Sequence, residues 1–126
     1  MPLGEDDKEQ SNKDSLRDFV NTHVNSEDVV IFSIKTCRFC AMVKNIFVKM
    51  NYKYKAVELD DRPDFKELMD VFNEMTGENS LPRVFVKGEC VGGAYKTNSI
   101  FVNGDLHRKL GMEEPLNRHM EGFIDF

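Results

Sequence analysis

The chain has 126 residues, a net charge of −5, 40% hydrophobic residues and 31% charged ones. That size suits one domain with one core, and the acidic balance gives no support to a general nucleic-acid or polyanion-binding role. No run approaches the roughly 20 apolar residues of a membrane span. The acidic, polar start has neither the apolar centre of a signal peptide nor the Arg-rich pattern of a transit peptide. A reducing, cytoplasmic setting with no nucleic-acid or membrane partner is therefore expected. Three cysteines, an odd and low count, do not make the disulfide framework of a small secreted protein.

Residues 1–13 are charged and lack periodicity, the pattern of a disordered segment. From Asp14, Leu16, Phe19, Val20 and Val24 recur at helical spacing and predict a short amphipathic helix. Val29, Val30, Ile31 and Phe32 form a continuous β-branched and aromatic run, expected of a strand buried on both faces. A helix follows from Arg38, with Phe39, Val43, Ile46, Phe47 and Met50 on its apolar stripe. Residues 52–59 read as a second strand. Pro63 then suits a helix start, Phe65, Leu68, Met69, Phe72 and Met75 mark a second core helix, and Gly77 ends it. Residues 84–86 form a third strand, and Gly88 turns it into a short fourth around Cys90 and Val91. After Gly92 and Gly93, Ile100, Phe101, Leu106 and Leu110 predict closing helical turns interrupted near Asn103 and Gly104. Residues 112–126 form a C-terminal extension whose pattern assigns it no structure. The first two strands, joined through a helix, should be parallel with a right-handed crossover; the hairpin strands should be antiparallel.

Cys37-Arg38-Phe39-Cys40 falls after a strand and opens a helix inside a β-α-β unit, the context in which C-x-x-C signals redox chemistry. Two cysteines three positions apart at a helix start can close a small disulfide ring. Cys37 would sit at the helix N-terminus, where free N–H groups and the macrodipole favour a thiolate, and Lys35 and Arg38 add positive charge. The thiolate is the nucleophile of thiol–disulfide exchange; Cys40, one turn further in, would be the resolving thiol. The alternatives are inert packing or half of a zinc site, and zinc usually requires a second ligand pair. Cys90 stands alone, with the small buried hydrophobe as its ordinary role, and His23, His107 and His119 are scattered.

The sequence resembles the dithiol glutaredoxins over residues 14–111. The resemblance is carried by the Val29–Ser33 run before the cysteine pair, Val57-Glu58-Leu59-Asp60, Met75-Thr76-Gly77, Ser80-Leu81-Pro82-Arg83-Val84-Phe85-Val86 and Cys90-Val91-Gly92-Gly93. It implies an α/β thioredoxin fold: a four-stranded mixed sheet flanked by helices, here with an extra N-terminal helix. It also implies glutathione as co-substrate and reduction of protein–glutathione mixed disulfides and protein disulfides by a monomer, through catalytic Cys37 and Cys40. Lys35, Arg38, Phe39, Leu81, Pro82, Gly93, Ala94 and Tyr95 are the implied glutathione-binding residues, and the Leu81–Pro82 bond is implied to be cis. A cis bond there would leave the Leu81 backbone free to pair with an extended peptide. Gly92 and Gly93 allow close backbone approach at a helix start.

Four positions depart from the family. Lysine stands at Lys35, with Ile34 where the glutathione-binding lysine is usual. Met69 occupies a place often polar in the second long helix, with Lys66 one turn earlier as a stand-in. Lys96 stands where an aspartate commonly pairs with the γ-glutamyl ammonium; that loss plus repulsion would cost roughly 1–3 kcal/mol of glutathione affinity, with Thr97 offering a weaker hydrogen bond. Arg38 replaces the frequent proline after the first cysteine, and some members lacking that proline hold a bridging [2Fe-2S] cluster through the first cysteine, here Cys37. Beside the oxidoreductase reading stand two alternatives, a cluster carrier or sensor and a thioredoxin-fold interaction protein with weakened glutathione binding.

Overall fold

Val29–Ser33 is buried along its whole length and forms β1, one of the two inner strands of the sheet. The structure, a computed structural model, describes residues 5–113, with side chains described from residue 10. Helix α1 (Glu5–Val24) precedes β1, and α2 (Arg38–Lys49) leads from it to β2 (Lys55–Glu58). Helix α3 (Phe65–Thr76), the hairpin β3 (Arg83–Val86) and β4 (Glu89–Gly92), and helices α4 (Ala94–Val102) and α5 (Asp105–Lys109) complete the order. The sheet runs β2-β1-β3-β4, with β1 and β2 parallel, β3 antiparallel to β1, and β4 antiparallel to β3. This is the mixed four-stranded sheet flanked by helices that the resemblance implies.

The period of two along each strand divides the core. Val29, Ile31, Val84 and Val86 face α2 and α4, packing with Met42, Val43, Ile46, Phe47, Ile100 and Phe101. Val30, Phe32 and Phe85 face α1 and α3, packing with Leu16, Val20, Leu68 and Phe72. On this second face Phe32 lies 5.0 Å from Phe72 and 5.7 Å from Phe85, ring centre to ring centre. Gly77 closes α3 in the left-handed conformation, φ 86°, which glycine adopts without steric cost.

Two expectations change. Helix α1 begins at Glu5, so residues 5–13 are helical where the sequence pattern indicated disorder. That turn has no apolar stripe to read. Polar links hold it instead: Gln10 donates to Asp14 at 3.2 Å, and Lys13 and Arg17 pair with Glu74 of α3. Strand β2 is shorter than residues 52–59, because Asn51 takes φ 55° and the Tyr52 N–H turns back to the Phe47 carbonyl at 3.0 Å. The extension over 112–126 lies outside the described residues beyond Glu113. Among the described residues no helix is long and apolar enough to cross a membrane.

Candidate active site

β1 ends at Ser33, and a short turn delivers the chain to α2. The Lys35 N–H donates to both carboxylate oxygens of Asp60 at 3.0 Å, tying this turn to the one after β2. The Ile34 carbonyl accepts from the Cys37 N–H at 3.2 Å. Cys37 is therefore the N-cap of α2, and its Sγ accepts a hydrogen bond from the Cys40 N–H at 3.4 Å. This satisfies one of the helix's free N–H groups and holds the two cysteines together.

The two thiols, both free, differ in setting. Cys37 is partly exposed, whereas Cys40 is fully buried. Burial, reinforced by the Cys37 side-chain hydrogen bond, pushes the Cys40 thiol up from 9.0 to about 12, against the opposing pull of an Ile34 backbone hydrogen bond and the Lys44 charge. Lys44 is itself held: its Nζ lies 2.5 Å from Glu58, which also accepts from Ser33 Oγ at 2.6 Å. Sequence reading passed over this link. Its signal was slight, a lysine four residues after Cys40 and a glutamate ending a strand.

A groove of about 610 Å³ gathers Phe39, which stands between the two cysteines in the chain, with Leu81, Pro82, Gly93, Ala94 and Tyr95; Cys37 and Cys40 themselves are not among its lining residues. The Leu81–Pro82 peptide is cis. Lys35 and Arg38 are exposed and are not among the groove's lining residues. Phe39 of α2 and Tyr95 of α4 touch, with ring centres 5.6 Å apart. The glycine pair answers to space. A Cβ at Gly92 (φ 114°) would lie 2.9 Å from Lys96 Cβ, and one at Gly93 would lie 2.8 Å from Arg83 Nη2.

Arg83, buried, is a further wall residue that the sequence pattern did not mark. Its guanidinium donates to Glu78 at 2.9 Å and to the Pro82 carbonyl at 3.3 Å. An arginine opening a strand gives no sequence signal of such a role. Cys90 corrects an expectation: it is exposed rather than buried, because β4 is an edge strand, and it lines the same groove. Thr97 is not available as a substitute donor, since its hydroxyl donates to the Gly93 carbonyl at 2.7 Å within its own helix. Met69 packs on the α1–α3 face, and Ile34 packs on the same cluster; neither lines the groove. Lys66 is exposed and also absent from that lining. Lys96 does line it.

The family model described as Glutaredoxin matches residues 29–91. The mouse protein "Glutaredoxin-2, mitochondrial" is 43% identical over 83 residues, 66% of this chain and 53% of that protein. The rice protein "Glutaredoxin-C4, chloroplastic" is 41% identical over 83 residues, 66% of this chain and 62% of that one. This chain thus spans little more than half the length of the mouse relative. The buckwheat glutaredoxin–glutathione complex superposes with a TM-score of 0.77 at 26% identity, covering 81% of this chain and 93% of the other. The expected cytoplasmic location does not stand: relatives at this level of identity are named as mitochondrial and chloroplastic proteins. Compartment is set by address segments that lie apart from a redox fold, so the fold's own residues do not report it. With the cysteine pair capping α2, the cis Leu81–Pro82 bond and the glycine-bounded groove, these matches make the chain a member of the glutaredoxin family.

Proposed function

We propose that this protein is a glutathione-dependent thiol–disulfide oxidoreductase in which Cys37 attacks and Cys40 resolves. The asymmetry of the pair carries the reading: one thiol is partly exposed at a helix N-terminus, and its neighbour is buried and pushed up to about 12. Only a thiolate attacks a disulfide, so Cys40 is held back until a mixed disulfide forms beside it. The groove along Leu81, Pro82, Gly93, Ala94 and Tyr95, with Phe39 at its edge, receives glutathione as an extended peptide. Lys35 and Arg38 contribute charge near Cys37 without lining the groove.

The exchange balances in two steps. Cys37 Sγ attacks the glutathionyl sulfur of a glutathionylated protein, the old S–S bond breaks, and the target leaves as a thiolate that takes up a proton. A second glutathione thiolate then attacks the Cys37–glutathione disulfide, releasing oxidised glutathione and restoring Cys37. With a protein disulfide as substrate, Cys40 attacks the Cys37–target bond, and two glutathione molecules reduce the resulting Cys37–Cys40 disulfide. One chain carries both thiols and the groove, so the monomer suffices.

Glutathione-coupled reduction of a glutathionylated peptide tests this. Cys37→Ser should abolish turnover and Cys40→Ser should retain it, at least in part. Wild-type protein without turnover would overturn the reading in favour of an interaction protein with weak glutathione binding. Cluster binding through Cys37 has its own test: anaerobic reconstitution with iron and sulfide should then give a coloured wild-type protein and a colourless Cys37→Ser variant.

A further inference from the structure

Two exposed aromatics sit together at the mouth of the groove. Phe39 is 38% exposed and Tyr95 is 73% exposed, yet their rings meet, joining the start of α2 to the start of α4. Apolar surface left at the rim of a groove marks a contact for another molecule. The Asp60 carboxylate holds the Lys35 N–H in the turn before Cys37, but the cationic side chains nearby stand outside any ion pair among the described residues. Lys96 follows Tyr95 in the first turn of α4, lines the groove and is exposed, with no ion-pair partner among the described residues. Lys35 and Arg38, on either side of Cys37, are likewise exposed and without ion-pair partners among them. The groove's acid, Glu78, is tied to buried Arg83. A chain of net charge −5 therefore presents, among the described residues, a cation in the groove wall and two more flanking Cys37 in the chain.

We infer that this rim docks an acidic polypeptide segment: a partner whose disulfide-bonded cysteine is flanked by carboxylates, with Lys96 as the residue that sets the preference. The inference rests on the proposed exchange at Cys37 and names the class of protein that reaches it. Phe39 and Tyr95 would cover an apolar side chain of the segment while Lys96 meets a carboxylate. A basic segment meets like charge, and complementary charge acts chiefly on encounter and selection among partners. Because the cations are exposed, the preference must weaken as salt rises.

The test compares kcat/KM for three peptides, each closed by one intramolecular disulfide and differing only in the residues flanking its cysteines (aspartates, lysines or serines), so that the peptide itself and not a glutathionyl group meets the groove. Wild type should favour the acidic over the basic peptide about tenfold at low ionic strength, with the ratio falling at high salt. Lys96→Glu should bring that ratio to one or invert it, and Lys96→Arg should keep it. A wild-type ratio of one, or a ratio unchanged in Lys96→Glu, overturns the proposal. Docking is also read without chemistry, by NMR titration of the reduced protein with the acidic peptide bearing serine in place of cysteine. Salt-sensitive shifts at Phe39, Tyr95 and Lys96 support the proposal, and their absence overturns it. Failure of wild type to turn over the serine-flanked peptide would instead refute the exchange reading and leave docking to be decided by the titration.

Discussion

Removing the charge of Glu58 probes the link between the sheet and α2, the helix that Cys37 caps and that holds Cys40. Its carboxylate lies 2.5 Å from Lys44 Nζ and accepts from Ser33 Oγ at 2.6 Å, and the ion-paired side chains are only 23% and 25% exposed. At 2.5 Å the bare attraction is about 2 kcal/mol in water and about 7 kcal/mol at an effective dielectric constant of 20. Dehydration and side-chain ordering offset most of this, leaving a coupling of about 1–2 kcal/mol for a pair between the exposed and buried limits. Glu58→Gln and Lys44→Met keep the shapes while removing one charge each, and each should destabilise the reduced protein by about 1–2 kcal/mol in urea unfolding. The double variant should be more stable than the sum of the two losses by about 1–2 kcal/mol, since it leaves no orphaned charge. Losses that add to within about 0.5 kcal/mol would refute the argument. The pair also bears on chemistry: the Lys44 charge opposes the upward push on Cys40, so Lys44→Met should slow alkylation of Cys40 in a Cys37→Ser background.

A brief pulse of iodoacetamide on the reduced protein at pH 7, read by mass spectrometry, should label exposed Cys90 and partly exposed Cys37 and spare buried Cys40; early label on Cys40 would contradict its burial. Because the Cys40 thiol is raised in the folded protein from 9.0 to about 12, its contribution to stability is complete below pH 9 and is lost as pH climbs towards 12. Cys40→Ala should flatten that part of the stability–pH curve measured by thermal melting. Gly93→Ala puts a methyl group 2.8 Å from the held guanidinium of Arg83 and 3.4 Å from the Pro82 carbonyl; it should cost about 1–3 kcal/mol and weaken glutathione binding in calorimetry. Val20→Ala in α1 removes packing from a fully buried position of the α1–α3 face and should cost about 2 kcal/mol in denaturant unfolding.

What could be read from the sequence follows the strength of its local signals. Val29–Phe32 is apolar at every position and is buried at every position. The stripe of α3 and the stop at Gly77 were equally plain, since apolar spacing and a left-handed cap are properties of a few adjacent residues. The resemblance supplied what periodicity could not, the cis bond at Leu81–Pro82. The misses are features that no local hydrophobic pattern announces. Lys13 and Arg17 of α1 pair with Glu74, some sixty residues away, and a polar stretch of helix gives no period to find. Cys90 looked like a core residue until the strand order put β4 at the edge. Lys44 with Glu58, and Arg83 with Glu78, are pairs whose members carry no sign of each other in the chain. Compartment was misjudged for a different reason, since a fold does not carry its address.

Arg83 explains how a sheet with two separate cores presents a single groove. The helices on its two faces share no cluster: α2 and α4 pack on one, α1 and α3 on the other. The groove nevertheless takes its walls from both sides, with Thr76 and Glu78 from the end of α3 and Gly93 to Lys96 from the start of α4. One side chain reaches these segments. From the first residue of β3, the Arg83 guanidinium holds Glu78 after α3, holds the Pro82 carbonyl in the cis loop, and fills the space where a Cβ at Gly93 would stand. A planar cation with several fixed donors suits this task, whereas lysine's single ammonium would not span the same partners. Burying it is tolerable because it is hydrogen-bonded, and the more exposed Glu78 keeps its own hydration. The width of the groove opposite Phe39 is thus set by β3, the strand hydrogen-bonded directly to β1, whose end delivers Cys37 to its cap. The segment that delivers Cys37 and the groove wall at Arg83 start from adjacent strands of one sheet, which fixes their separation more firmly than either helix layer could alone.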